Sequence, residues 1–233
     1  MLAAIYDPYL DTLGGGERYV LTFGKVLSDL NFEVDLFWDD TSIKPKLESR
    51  FGIDLSGLNF LPNVFATRNF LGTGSYLRSY DIVFMLSDGS IPLMTGRKNL
   101  LHFQVPFKDV GGQKILNKIK LRTVHQIICN SYFTKKFIDR EYGVNSKVLY
   151  PPVPTRDIKP GSKQNLILSV GRFSQLLQSK RQDVLVEAFA KLSRKLPDWS
   201  LILAGGSDVG KTDELDRLRE RIGNLPSEII ENP

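Results

Sequence analysis

The stretch LAAIYDPYLDTLGGGERYVLTFGKVLSDLNFEVDLFW, Leu2 to Trp38, decides the fold. It opens on LAAIY, a short apolar run of strand length, and closes on a second, EVDLFW. Between them Tyr19, Val20, Phe23, Val26, Leu27 and Leu30 recur at helical spacing along one face. Strand, glycine loop, amphipathic helix and strand make the unit whose strands pair in parallel through a right-handed crossover. Gly14, Gly15 and Gly16 fall where the first strand hands over to the helix. Glycine there lets a ligand approach the backbone, and the free N–H groups of a helix N-terminus attract anions. A tight turn needing positive φ is the plainer alternative. The dinucleotide pattern G-x-G-x-x-G fails because Tyr19 stands in its last glycine position. Three consecutive glycines exceed what one turn requires, which favours a ligand-facing role.

The alternation continues outward from this unit. YDIVFML, NLLHFQV and HQIICNS read as strands, LNFLP as a weak one, and SYFTKKFIDREYG as a helix closed by Gly143. The span from Thr41 to Arg78 is otherwise hard to read. After KVLYPPV, a stretch rich in Pro, Gly and Lys shows no periodicity and reads as a linker. The pattern then restarts: NLILSVGR and SLILAGG as strands, RQDVLVEAFAKLSRKL and DELDRLRERIG as helices, and EIIENP as the start of another strand. The expected organisation is α/β, with a Rossmann-like domain over 1–152, a linker at 153–164 and a second Rossmann-like domain at 165–233. Two strand–helix units are few for such a domain, so the second is expected to be incomplete and the parent protein longer.

Composition narrows the function. Hydrophobic residues make up 42% and charged residues 24% of the 233 residues, an ordinary globular mix. The formal net charge of +5 favours anionic partners. One cysteine, Cys129, excludes an internal disulfide and fits a reducing compartment. With only His102 and His125 besides, a zinc site is not expected. No apolar run reaches membrane-spanning length, and MLAAIYDPY lacks the basic start and apolar core of a signal peptide. A cytoplasmic protein, free or attached peripherally to a membrane, is the expectation.

Several side chains stand out beyond the glycines. Arg172 closes the first strand of the second half and Lys180 precedes its helix. Two fixed cations at a domain mouth can neutralise a diphosphate without a metal, although solvated surface cations fit the spacing equally well. His102 lies late in a strand, where it can serve a reaction or simply fill the core. Lys108, Lys114, Lys118, Lys120 and Arg122 surround Ile115, Leu116 and Ile119. That pattern suits a helix lying on anionic lipid, or a solvated helix packed on its domain. The cations lack interleaved aromatics and no reader motif is present, so nucleic acid is not an expected partner.

Four stretches together resemble the family-4 retaining glycosyltransferases: GGGERY, CNSYFTKKFI with VLYPPV after it, SVGRFSQLLQSKRQDVLVEAF, and LILAGGS. GGGERY and VLYPPV look most like the mannosyltransferases that extend lipid-linked oligosaccharides. The resemblance implies a GT-B fold, with a GDP- or UDP-sugar donor between two Rossmann-like domains and a glycan or lipid-linked acceptor. It implies that Arg172 and Lys180 hold the donor diphosphate, that His102 is the catalytic histidine meeting the donor sugar, and that Gly14, Gly15 and Gly16 lie where donor and acceptor join. No metal or other cofactor is implied. The family's E-x7-E motif is the point of departure. Glu220 and Glu228 have its spacing but come too early in the second domain, so the chain is expected to hold only part of the donor site and to be weak or inactive alone.

One competing motif remains. GGSDVGKT, Gly205 to Thr212, satisfies G-x-x-x-x-G-K-[ST], which would make Lys211 and Thr212 the phosphate and Mg²⁺ contacts of a P-loop NTPase. Asp208 inside the loop, with Asp213 and Glu214 opening the next helix, would repel a triphosphate. A third reading is a non-catalytic sugar- or lipid-binding fragment that needs a partner chain.

Overall fold

The computed structural model describes residues 1–67, 70–153, 155, 158–173, 180–207 and 213–231. It divides into two units, Met1–Thr155 and Arg156–Pro233.

Unit 1 is built on a seven-stranded sheet. Its strands are β1 (Leu2–Tyr6), β2 (Glu33–Phe37), β3 (Leu58–Leu61), β4 (Ile82–Leu86), β5 (Lys98–Phe103), β6 (Gln126–Cys129) and β7 (Lys147–Val148). Their order is β3-β2-β1-β4-β5-β6-β7, and every ladder is parallel. The helices are α1 (Gly15–Asp29), α2 (Ile43–Phe51), α3 (Val64–Thr67), α4 (Phe70–Leu77), α5 (Ile115–Leu121) and α6 (Tyr132–Tyr142). Alternate residues of β1 feed two cores. Ala3 and Ile5 pack with Val20 and Leu21 of α1, whereas Ala4 packs on the opposite face with Phe37, Leu101 and Ile138. Parallel strands buried on both faces give the near-continuous apolar runs seen in the sequence.

Local chemistry sets the ends of these elements. Ser131 caps α6 by accepting the Thr134 N–H at 3.1 Å, and Gly143 ends it with φ of 66°. At the other end of unit 1 in sequence, the Tyr19 hydroxyl of α1 donates to the Leu149 carbonyl at 3.1 Å. That bond ties the first helix to the segment after the last strand.

Unit 2 has three parallel strands, β8 (Leu166–Val170), β9 (Ser200–Gly205) and β10 (Ser227–Glu231), in the order β10-β9-β8. The helices α7 (Gln182–Leu192) and α8 (Asp213–Ile222) cover one face. Val186, Phe189, Leu215 and Leu218 from the helices meet Leu201 and Leu203 of β9 in its core. Leu168 and Val170 of β8 are exposed.

Candidate functional site

In unit 1 the strand order reverses between β1 and β4, and ligands of open parallel sheets gather outside the C-terminal strand ends at such a point. The chain leaves β1 through a 3-10 turn, Leu10–Thr12, and enters α1 at Gly14. The plain tight-turn account of the glycines is corrected here. Leu13, not a glycine, takes the left-handed backbone, with φ of 51°, while Gly14 is extended at φ −101°. A leucine there costs about 1–2 kcal/mol.

Each glycine has its own surroundings. The Gly14 N–H donates to the buried Glu17 carboxylate at 2.5 Å, the carboxylate half of a capping box. A Cβ on Gly15 would meet nothing within 4 Å, so that face of the loop is open. A Cβ on Gly16 would stand 2.3 Å from Gln104 Oε1, and Gln104 Nε2 donates to the Gly16 carbonyl at 3.1 Å. Gly16 therefore leaves room for the Gln104 side chain to lie against the start of α1.

Beneath the loop lie groups taken out of water. His102, next to last in β5, is fully buried and stacks on Tyr19 at 4.3 Å and on Phe84 at 5.6 Å between ring centroids. Burial pushes its pKa down to about 4, and the nearby Ile128 backbone offsets little of this, so the ring is neutral at pH 7. Neither ring nitrogen has a partner of hydrogen-bond geometry. Asp7, just past β1, is also buried. Its Oδ1 accepts the Tyr9 N–H at 2.9 Å and its Oδ2 has no partner. Burial pushes Asp7 up to about 7; the Tyr9 hydrogen bond opposes this, and the neighbouring Glu17 and Asp11 carboxylates add to it.

Unit 2 presents a different edge. Gly171 and Arg172 follow β8, and the Gln182 side chain, buried at the start of α7, donates to their carbonyls at 3.3 and 3.1 Å. A Cβ on Gly171 would lie 2.9 Å from Lys180 Cγ, so the Lys180 stem crosses that strand end beside Arg172. Both cations are exposed. At the end of β9 a Cβ on Gly205 would come within 2.1 Å of the Gly171 carbonyl, so the two strand ends touch through backbone alone. Ser207 Oγ donates to Glu231 Oε1 at 2.8 Å at the end of β10. Glu220 and Glu228 do not join this edge. Glu220 sits late in α8 and Glu228 at the start of β10, toward the opposite end of the sheet. Lys211 and Thr212 lie outside the described residues.

The basic segment ahead of β6 is a surface. Ile115, Leu116 and Ile119 of α5 are 78%, 62% and 53% exposed, while Leu121 at its end packs on the core, so the helix is solvated over most of its surface and meets its domain through its last residue. Lys108 stands over the Phe137 ring at 4.5 Å, and Phe133 lies edge-on to Phe137 at 5.0 Å. The Asp109, Val110 and Gly112 N–H groups all donate to the Glu141 carboxylate at 3.0–3.1 Å, which holds the loop before α5 onto α6. Among the described residues no cluster of three or more His, Cys, Asp or Glu suits a metal ion, and no helix is long and apolar enough to cross a membrane.

Comparison with known proteins shows the family of the chain. The family model for Glycosyltransferase Family 4 matches residues 13–157, more than half of the chain, and that for Glycosyl transferases group 1 matches residues 155–228. The chain belongs to Glycosyltransferase Family 4. A curated relative, the alpha-1,3/1,6-mannosyltransferase ALG2 of Yarrowia lipolytica, is 28% identical over 116 residues, covering 45% of this chain and 25% of that protein. The matched stretch thus spans a quarter of the relative's length. Among solved structures, HepE of Anabaena in complex with UDP-glucose superposes with a TM-score of 0.66 at 17% identity, over 99% of this chain and 69% of that one. WaaG, a glycosyltransferase involved in lipopolysaccharide biosynthesis, gives 0.61 at 14% identity, over 100% and 70%. The fold is of the GT-B type.

The structure places Gly14–Gly16 at the start of α1, His102 near the end of β5, Arg172 just after β8 and Lys180 just before α7. The structure adds Asp7, Gln104 and Gln182. Asp7 alone had a usable signal, as a carboxylate directly after a buried strand.

Proposed function

We propose that this chain contributes the acceptor side and part of the donor site of a retaining glycosyltransferase. The observation that carries the reading is the tandem match of two glycosyltransferase models, 13–157 and 155–228, with Arg172 and Lys180 adjacent on the C-terminal edge of the second unit. The donor is a GDP- or UDP-sugar. The mannosyltransferase relative supports mannose as the sugar, and a glycan or lipid-linked saccharide as the acceptor. Residues 1–152 serve the acceptor, 153–164 link, and 165–233 hold the donor diphosphate.

In the proposed reaction the bond between the anomeric carbon and the diphosphate oxygen breaks while the acceptor oxygen bonds to that carbon on the same face. The acceptor proton passes to the departing diphosphate. Negative charge grows on that diphosphate in the transition state, so Arg172 and Lys180 act most strongly there, and charge neutralisation falls to them rather than to a metal. His102, neutral and without a hydrogen-bond partner, is suited to accept or donate one bond to a sugar hydroxyl once Tyr19 uncovers it. The exposed Ile115, Leu116 and Ile119, ringed by Lys108, Lys114, Lys118, Lys120 and Arg122, support docking on an anionic membrane surface from the cytoplasmic side.

A thermal-shift panel tests the reading. GDP-mannose, UDP-glucose and ADP-glucose are each added to the chain and to its Arg172→Ala, Lys180→Ala variant. Stabilisation by GDP-mannose or UDP-glucose that disappears in the variant is expected. Stabilisation by Mg-ATP alone, lost in Lys211→Ala, would instead revive the NTPase reading.

A further inference from the structure

A cleft in unit 1 has no part in the site described above. It measures about 870 Å³ and is open to solvent, with Lys108, Asp109 and Lys114 from the loop before α5 and Phe137, Arg140 and Glu141 from α6 in its walls. None of the residues lining it belongs to the glycine loop or to a strand. A Cβ on Gly112 would lie 2.6 Å from the Glu141 carbonyl, so the loop rests directly on the backbone of α6.

The fold places three cations here. Lys108 stands over the Phe137 ring at 4.5 Å, a contact that fixes its ammonium and leaves N–H donors to spare. The Lys114 stem folds back over Gly111, where a Cβ would lie 2.6 Å from its Cε and 3.1 Å from its Nζ. Arg140 is exposed in the last turn of α6, and its carbonyl accepts the Gln113 amide at 3.1 Å. Among the described residues none of the three is paired with a carboxylate. Two carboxylates share the cleft with them. Glu141 is already engaged by the Asp109, Val110 and Gly112 N–H groups, and Asp109 carries the second. Asp109 and Gly111 both take left-handed backbone, with φ of 57° and 71°, a shape that the bonds to Glu141 hold.

Three cations from two elements suit an anion with two charges and several acceptor oxygens better than a carboxylate, which offers two oxygens in one plane. The cleft is also the size of a small-molecule site, about 300–1,000 Å³, and larger than a bare ion needs. Phe137 is covered by Lys108, so charge and not stacking selects the ligand.

We propose that this cleft binds a phosphate monoester through Lys108, Lys114 and Arg140. Two sources carry that chemistry, a lipid headgroup and a soluble phosphorylated metabolite. The lipid source rests on the membrane docking proposed above and deepens it, because the exposed Ile115 and Leu116 directly follow Lys114.

The test follows both sources on the chain and on its Lys114→Ala, Arg140→Ala variant. Glycerol 3-phosphate is titrated by calorimetry, with the backbone amide signals of residues 109–112 followed by NMR. Sedimentation is measured with phosphatidylcholine vesicles that contain phosphatidic acid, or phosphatidylglycerol at the same share. The chain should bind the monoester with movement of those signals, and the variant should bind it about tenfold more weakly at unchanged melting temperature. A preference for phosphatidic acid over phosphatidylglycerol that vanishes in the variant assigns the site to a lipid. Binding of glycerol 3-phosphate without that preference assigns it to a solute. Absence of both, or monoester binding that the variant keeps, overturns the proposal. Changing Ile115, Leu116 and Ile119 to Ser separates the two levels. Vesicle binding lost in that variant, with no monoester preference in the wild type, sinks the cleft as a lipid site and leaves the docking standing. Vesicle binding kept in it sinks the docking, and glycerol 3-phosphate still decides the cleft.

Discussion

The two sheets carry opposite chemistry at equivalent edges. In unit 1 the strand ends hold Asp7 and His102, both removed from water, with pKa values displaced toward their uncharged forms. In unit 2 the strand end holds Arg172 and, with its stem against Gly171, Lys180, both exposed. Desolvated neutral groups recognise hydroxyls by geometry, and an orphan there is costly. Exposed cations recognise charge, act at longer range and are screened by salt. One parallel-sheet plan thus yields a desolvated edge and a charged, exposed edge, and the difference lies in a few side chains at and beyond the strand ends.

The largest effect expected from breaking this contrast is in stability against pH. Asp7 has a folded value of about 7 against an ordinary 3.8, so its favourable contribution is full below pH 4 and is lost as pH rises to 7. His102 has a folded value of about 4 against 6.5, so its contribution is present above pH 6.5 and is lost as pH falls to 4. The two slopes oppose each other between pH 4 and 6.5, and the wild type should be flatter there than either variant. Urea unfolding of Asp7→Asn should show stability rising with pH across that window, and His102→Gln should show it falling, each by about 3 kcal/mol. Parallel profiles in both variants would mean the groups are not buried as described.

The opposite edge comes next. The Arg172→Ala, Lys180→Ala variant should bind GDP or UDP about 100-fold more weakly by calorimetry. Raising salt from about 0.05 to 0.5 M should weaken nucleotide binding markedly and saccharide binding hardly at all. Gly205→Ala is a smaller and local test. It should cost about 2 kcal/mol, because the new methyl meets the Gly171 backbone and not a side chain that can turn away. Smallest is the α5 surface. Changing Ile115, Leu116 and Ile119 to Ser should lower sedimentation with phosphatidylserine vesicles about tenfold and leave melting unchanged, since those side chains make no buried contact.

What the sequence revealed follows from where the information sits. The long periodic stretches, LAAIY to LFW and NLILS to LAGG, announced parallel strands and crossover helices because strand runs and helix faces are written in local pattern. The span from Thr41 to Arg78 resisted, since α2 has nine residues with Pro45 near its start and β3 has four. Arg172 and Lys180 were legible because each adjoins an element end in its own segment. The burial of His102 was not, because Tyr19 of α1 covers it from far away in the chain. Gln104 and Asn130 became visible only when β5 and β6 brought them beside α1, through Gln104 on Gly16 and Asn130 Nδ2 on the Gln104 carbonyl at 2.9 Å.

The Tyr19 bond to Leu149 spans 130 positions. During synthesis the first helix leaves the ribosome long before its partner carbonyl exists, and the interior strand β1 must wait for β4 to pair on its second side. Unit 1 therefore cannot complete this contact over His102 while the chain is short. Contacts between such distant positions form late, and apolar surface left open until then favours chaperone capture of the nascent chain.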